Sequence, residues 1–158
     1  MDKILSFGAG VQTTALAILA NQGKVKYDVA IFADTGGEKS ETYWYMDNYI
    51  EELFHEVNIP FIRIRNELPS CQPDLYGWLF KHQQIPSVSG FRLCSIKFKR
   101  ETIERYCKGR EYKTLLGFST DEASRAKPNQ YKRLAEYPLI EKGLSGNYFV
   151  TILLCFQI

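Results

Sequence analysis

The segment that most limits the fold is Ser6-Phe7-Gly8-Ala9-Gly10-Val11-Gln12-Thr13-Thr14. It follows a short apolar strand predicted over 3–7 and opens a helix predicted over 13–20. Glycines allow a sharp turn and expose backbone amides without side-chain obstruction. The free amides at a helix N-terminus, aided by the helix dipole, then favour an anion. The hydroxyls of Ser6, Thr13 and Thr14 add donors. A strand that passes through such a turn into a helix starts a β-α-β unit, and this commits the chain to a parallel sheet.

The rest of the pattern agrees. Leu16, Leu19 and Ala20 form the buried stripe of the first helix, and Gly23 is its stop. A second strand is predicted over 28–33. A long helix over 38–56 carries Tyr45, Met46, Tyr49, Ile50, Leu53 and Phe54 at helical spacing, and a third strand spans 61–65. The stretch 66–90 contains Pro69, Pro73 and Pro86 and reads as irregular, with a short helix over 75–81. A basic helix over 97–107 and a fourth strand over 112–117 follow. The fold class is α/β, an open parallel sheet of about five strands with helices on both faces. A single α/β domain is assigned to residues 1–145. Residues 146–158 are assigned to an atypical apolar tail, read as an extra buried strand or an altered C-terminus.

Composition excludes little and supports this. At 158 residues the chain suits one domain with a real core. A net charge of +2 is too small to demand a nucleic-acid or membrane partner. No apolar run reaches the roughly 20 residues that span a bilayer. Asp2 and the polar Gln12, Thr13 and Thr14 break any signal-peptide pattern. Cys71, Cys94, Cys107 and Cys155 form no CxxC pair, so they are expected to be reduced thiols of a cytoplasmic protein, with Cys155 inert in its apolar run.

Three anion-binding readings fit the first turn unequally. A Walker P-loop requires Gly-Lys-Ser/Thr, and no lysine is present. A Rossmann loop requires GxGxxG; Gly8 and Gly10 fit, Thr13 does not, and Asp34 after the second strand suits it. Ser6 before the turn and the pair Thr13-Thr14 favour a Ser-x-Gly-x-x-x-Ser/Thr pattern.

Three further segments fall beside strand ends or a helix start. Ala33, Asp34 and Thr35, with Gly36, Glu38, Glu41 and Thr42 beyond, sit where open parallel sheets bind ligands, and could read adenine or ribose. Taken alone, they read more simply as a plain turn and loop. After the fourth strand, Gly117 permits close approach, and Arg125 could pair with phosphate or sulfate while Glu122 or Asp121 orients it. A helix cap at Ser119 or Thr120 is the plainer reading. Cys94 precedes Lys97 and Lys99, cations that could lower its pKa or contact phosphate; Glu101, Glu104 and Arg105 fit a solvated face.

Together, SFGAGVQTTAL (6–16), 32–36 with Glu41-Thr42, 94–97 and 117–125 resemble the phosphoadenylyl-sulfate (PAPS) reductase family of the PP-loop, adenine-nucleotide alpha-hydrolase-like superfamily. The segments occur in the family's order and cover most of the chain to about Glu141. The resemblance implies phosphate on the first loop, adenine near the second strand, and Lys97, Glu122 and Arg125 facing one pocket. It implies nucleotide contacts at Ser6, Phe7, Gly8, Gly10, Gln12, Thr13 and Thr14, at Ala33, Asp34 and Thr35, and at Gly117 and Glu122. Lys97, Arg125 and Cys94 are the candidate catalytic residues, and no protein metal site is expected. The Glu-Cys-Gly-Leu-His segment of true PAPS reductases is missing, as are the paired cysteines of iron–sulfur adenylyl-sulfate reductases.

Three functions follow. The leading one is binding of ATP or a related adenylyl nucleotide, with cleavage or transfer at the α-phosphate; ATP-using relatives release pyrophosphate with magnesium. The second is thiol-dependent reduction of PAPS or adenylyl sulfate, with Cys94 as nucleophile and a thiol carrier as partner. The third is a non-catalytic nucleotide-binding module. A nucleic-acid acceptor enters by analogy alone, through the basic helix.

Overall fold

The computed structural model describes residues 1–66, 74–85, 94–126 and 134–155. The irregular stretch with Pro69, Pro73 and Pro86, and Cys71 within it, lies outside them, as does the Cys155 side chain. Strand β1 (Asp2–Phe7) leads into helix α1 (Val11–Asn21), then β2 (Val29–Asp34). Helix α2 (Ser40–Tyr45), a π-helical turn (Met46–Ile50) and α3 (Glu51–Glu56) run on to β3 (Phe61–Arg65). After α4 (Leu75–His82), a π-helical segment (Cys94–Arg100) continues into α5 (Glu101–Tyr106) and β4 (Tyr112–Leu115). A 3₁₀ segment (Thr120–Arg125), β5 (Ala135–Glu136), α6 (Pro138–Glu141) and α7 (Gly146–Cys155) complete the described chain.

All strands are parallel, in the order β3-β2-β1-β4-β5. Alternation along the central strands sorts the core into two layers. Leu5, Phe7, Ala30, Phe32 and Leu115 face the layer built by α1, α3 and α7. Ile4, Ile31, Ala33 and Tyr112 face α5 through Ile103 and Cys107. The open parallel sheet with helices on both faces is therefore the observed architecture.

Gly23 stops α1 as expected, at φ 68°, where its N–H donates to Ala20 O. The helix predicted over 38–56 is one run with a π-helical turn inside it, which leaves Met46, Ile50, Leu53 and Phe54 buried and Tyr49 exposed. The tail departs from the strand expectation. Residues 146–155 are helical, and Phe149 is fully buried in the α1 layer. The edge strand nearest in sequence, β5, is only two residues long and offers little to pair with, whereas the α1 layer offers apolar area to cover. Among the described residues no helix is long and apolar enough to cross a membrane.

Candidate functional site

The strand order reverses between β1 and β4, because the chain builds outward to β3 and then returns to the other side of β1. The loops after β1 and β4 diverge there and leave a crevice beyond the strand ends. A cavity of about 240 Å³ occupies it. Ser6, Gly8 and Thr13 form its β1 side, and Leu116, Gly117 and Phe118 its β4 side. Ser95, Lys99, Arg100 and Glu104 close it from the π-helical segment and α5, and Arg125 from the 3₁₀ segment.

The turn after β1 is pinned from inside. Thr13 Oγ1 donates to Gly10 O at 3.0 Å and accepts from Gly8 N–H at 3.3 Å. The left-handed residue is Ala9, at φ 56°, whereas neither flanking glycine has positive φ. The sequence assigns the sharp turn to the glycines; their actual contribution is open space. A Cβ on Gly8 would meet nothing within 4 Å, and one on Gly10 would meet only Gln12 Oε1 at 3.9 Å. Gly10 caps α1 in an extended conformation with no side chain over the first-turn amides. Helix geometry leaves the N–H groups of Val11, Gln12 and Thr13 without intrahelical partners, since Thr14 N–H is the first to bond back, to Gly10 O at 3.0 Å.

Gly117 has a different role from the one the sequence suggests. A Cβ there would lie 2.9 Å from Thr13 Cγ2 and 3.3 Å from Thr13 N. Its bareness lets the exit of β4 press against the first turn of α1, and the close neighbour is the helix itself.

Each cation on the cavity wall carries a carboxylate. Lys99 Nζ is 2.9 Å from Glu38 Oε1, which ties the loop after β2 to the π-helical segment. Arg125 pairs with Glu122, which also accepts from Gln12 Nε2 at 3.3 Å. Arg125 lies 4.5 Å over the Phe118 ring, and that ring stacks on Tyr137 at 5.8 Å. Gln12, Glu122 and Arg125 thus form a chain from the turn to the cavity mouth.

The other candidates fall elsewhere. Phe7 and Thr14 point into the core, where Thr14 shares a hydrogen bond with Tyr45. Ala33 is buried beneath α5. Thr35 is buried, accepts from Gly37 N–H at 3.2 Å, and offers its carbonyl to Leu75 N–H at 2.8 Å. Asp34 accepts from Gly36 N–H at 2.8 Å and Tyr43 O–H at 2.6 Å, and pairs with Arg65. Burial pushes its carboxyl up, but Arg65, Tyr43 and the Gly36 amide outweigh that and hold it below the ordinary value. Burial and the neighbouring Asp34 push the Tyr43 hydroxyl up to about 12. Asp34 is therefore engaged in holding its own turn.

Lys97 does not join Glu122 and Arg125 at the cavity, as the resemblance implies. Its ammonium lies 5.0 Å over the Trp78 ring. Cys94 packs against the cluster of Leu75, Trp78 and Phe98 and is not on the cavity wall. The residues that do reach it from this segment, Ser95 and Lys99, were legible through spacing: 95, 99 and 103 recur every four residues, on the face of Ile103.

The fold and cavity define a class: an open parallel α/β domain whose switch-point crevice joins a glycine turn to three carboxylate-paired cations, Lys99, Arg100 and Arg125. No protein-family model matches the chain, and no curated protein matches it.

Proposed function

We propose that the chain binds an adenine nucleotide, ATP or a PAPS-like relative, with its phosphates in the turn between Gly8 and Thr13, and that it cleaves or transfers at the α-phosphate. The observation that carries this is the open space over Gly8 and Gly10 beside uncapped α1 amides, facing a cavity walled by Lys99 and Arg125. The left-handed Ala9 adds weight: αL costs a non-glycine residue about 1–2 kcal/mol, a strain that clusters at ligand sites.

The α1 amides would receive phosphate oxygens, and Lys99 and Arg125 would exchange a carboxylate partner for the charge that develops in transfer. With ATP, an acceptor nucleophile forms the new bond to the α-phosphorus and gives its proton to solvent, and the bond to pyrophosphate breaks with its electron pair on the leaving oxygen; with a PAPS-like nucleotide the leaving group is sulfate. No group of three His, Cys, Asp or Glu side chains stands ready for a metal among the described residues. Magnesium, which would supply charge neutralisation on the leaving phosphates, would accordingly be held mainly by those phosphates. Cys94 lies off the cavity wall, so transfer is favoured over thiol-dependent reduction.

Thermal unfolding with ATP, ADP, PAPS, adenylyl sulfate and NAD tests the reading, using wild type and Gly8→Val. Ligand at 100 times Kd stabilises the folded state by about 2.7 kcal/mol. ATP or PAPS should raise Tm, NAD should do so weakly or not at all, and Gly8→Val should keep its own Tm while losing the response. A larger shift with NAD, or an unchanged response in folded Gly8→Val, refutes it.

A further inference from the structure

Edge strand β3 and helix α5 enclose a second hollow, of about 660 Å³. Arg63, Arg65 and Arg105 line it, with Asp34 the one carboxylate among its described lining residues and Tyr106 beside it. It shares no lining residue with the cavity at the end of β1.

Its three guanidinium groups are balanced unequally. Arg63 meets Asp47 at 2.5 Å and Glu51 at 3.0 Å. Arg65 meets Asp34 but is half exposed, so a competing anion can reach it. Arg105 donates to Asn66 Oδ1 at 2.6 Å and to Thr102 Oγ1 at 3.3 Å, both neutral oxygens. No carboxylate of the described residues pairs with it. A guanidinium held by neutral acceptors retains its charge and further N–H donors for an anion. Lys108 and Arg110 are exposed and extend the positive charge beyond α5. The Arg110 guanidinium lies 6.0 Å over the Tyr106 ring, which is 43% exposed.

We infer that the groove between β3 and α5 binds a phosphate-bearing ligand, with Arg105 and Arg65 on the phosphate and the Tyr106–Arg110 pair as a flat surface beside it. Planar donor forks suit phosphate oxygens, and an exposed ring with a guanidinium suits a stacked base. Two sources offer this chemistry: the backbone of a single-stranded nucleic acid and free inorganic phosphate. The groove is independent of the nucleotide reading, because neither the turn after β1 nor its cavity contributes to it.

Fluorescence anisotropy on the full chain decides the matter, using a labelled deoxythymidine strand of about 12 nucleotides, within the span such grooves cover. Inorganic phosphate is titrated in parallel by calorimetry. The variants are Arg105→Gln, Arg110→Gln, Tyr106→Ala and Gly8→Val. Glutamine at 105 keeps an N–H donor for Asn66 and removes the charge; a thermal melt checks its fold, and Arg110→Gln, on the exposed surface, decides if it unfolds. A strand should bind more weakly as salt rises, and Arg105→Gln and Arg110→Gln should each weaken it roughly 5- to 100-fold. Tyr106→Ala should weaken the strand and spare inorganic phosphate, while Gly8→Val should leave strand binding unchanged. Binding of phosphate without the strand, kept in Gly8→Val and weakened in Arg105→Gln, assigns the groove to a small phosphate and also supports the inference. Failure of both probes, wild-type affinity in folded Arg105→Gln and Arg110→Gln, or loss of strand binding in Gly8→Val overturns it.

Discussion

Alanine at position 117 adds one methyl group where the first turn of α1 meets the exit of β4. That carbon would sit 2.9 Å from Thr13 Cγ2, 3.3 Å from Gln12 Cβ and 3.3 Å from Thr13 N. Non-bonded carbons rest at about 3.5–4.0 Å, so the two segments must separate by roughly 0.6–1.1 Å. Thr13 cannot simply swing aside. It is buried, β-branched, and bonded through Oγ1 to both Gly8 and Gly10. Overpacking of this kind costs about 1–3 kcal/mol. At about 2–4 °C per kcal/mol for a chain of this size, Gly117→Ala should lower Tm by about 2–12 °C. The separation displaces Thr13 and with it the turn, so nucleotide affinity should fall as well. Gly8→Ala, which meets nothing within 4 Å, should leave Tm nearly unchanged and supplies the control. Differential scanning calorimetry measures the first effect, and ATP titration of the folded variant the second. A Gly117→Ala protein with Tm within about 1 °C of wild type would show that the close approach of β4 to α1 is wrong.

Three more outcomes are expected. Asp34→Asn should cost about 1–3 kcal/mol at neutral pH, because a charged acceptor between Arg65, Tyr43 and Gly36 becomes neutral. The Asp34 pKa is depressed on folding, so its contribution is present above the ordinary value of 3.8 and is lost as pH falls below it; melts from pH 6 to about pH 2 should show the two proteins converging only in that acidic window. Phe149→Ala should cost about 3–5 kcal/mol by chemical denaturation, since the ring is fully buried; a neutral substitution would remove α7 from the core. Lys99→Gln should weaken ATP binding while Lys97→Gln leaves it intact, measured by calorimetric titration; the reverse order would return the cavity to the assignment that the sequence suggests.

Local chemistry carried much of this in the sequence. The strand at 3–7, the glycine turn, the stop at Gly23 and the parallel α/β class depend on periodicity and turn residues, which act between neighbours in the chain. So did Ser6, Gly8, Thr13, Gly117 and Arg125 as members of one region, because strand ends in a parallel sheet share an edge. Tertiary structure decided the rest. Whether Lys97 or Lys99 faces the cavity depends on which side of a π-widened helix meets the sheet, and Glu38 selects Lys99 from 61 residues away in sequence. Asp34 is engaged by Arg65, a partner 31 residues on that no local pattern reveals. The apolar tail has no alternating or amphipathic signature of its own. Its helix follows from the exposed apolar flank of α1 that Phe149 covers. Such pairings join residues that the backbone brings together only after the strands are ordered, and a linear sequence states which side chains exist without stating which of them meet.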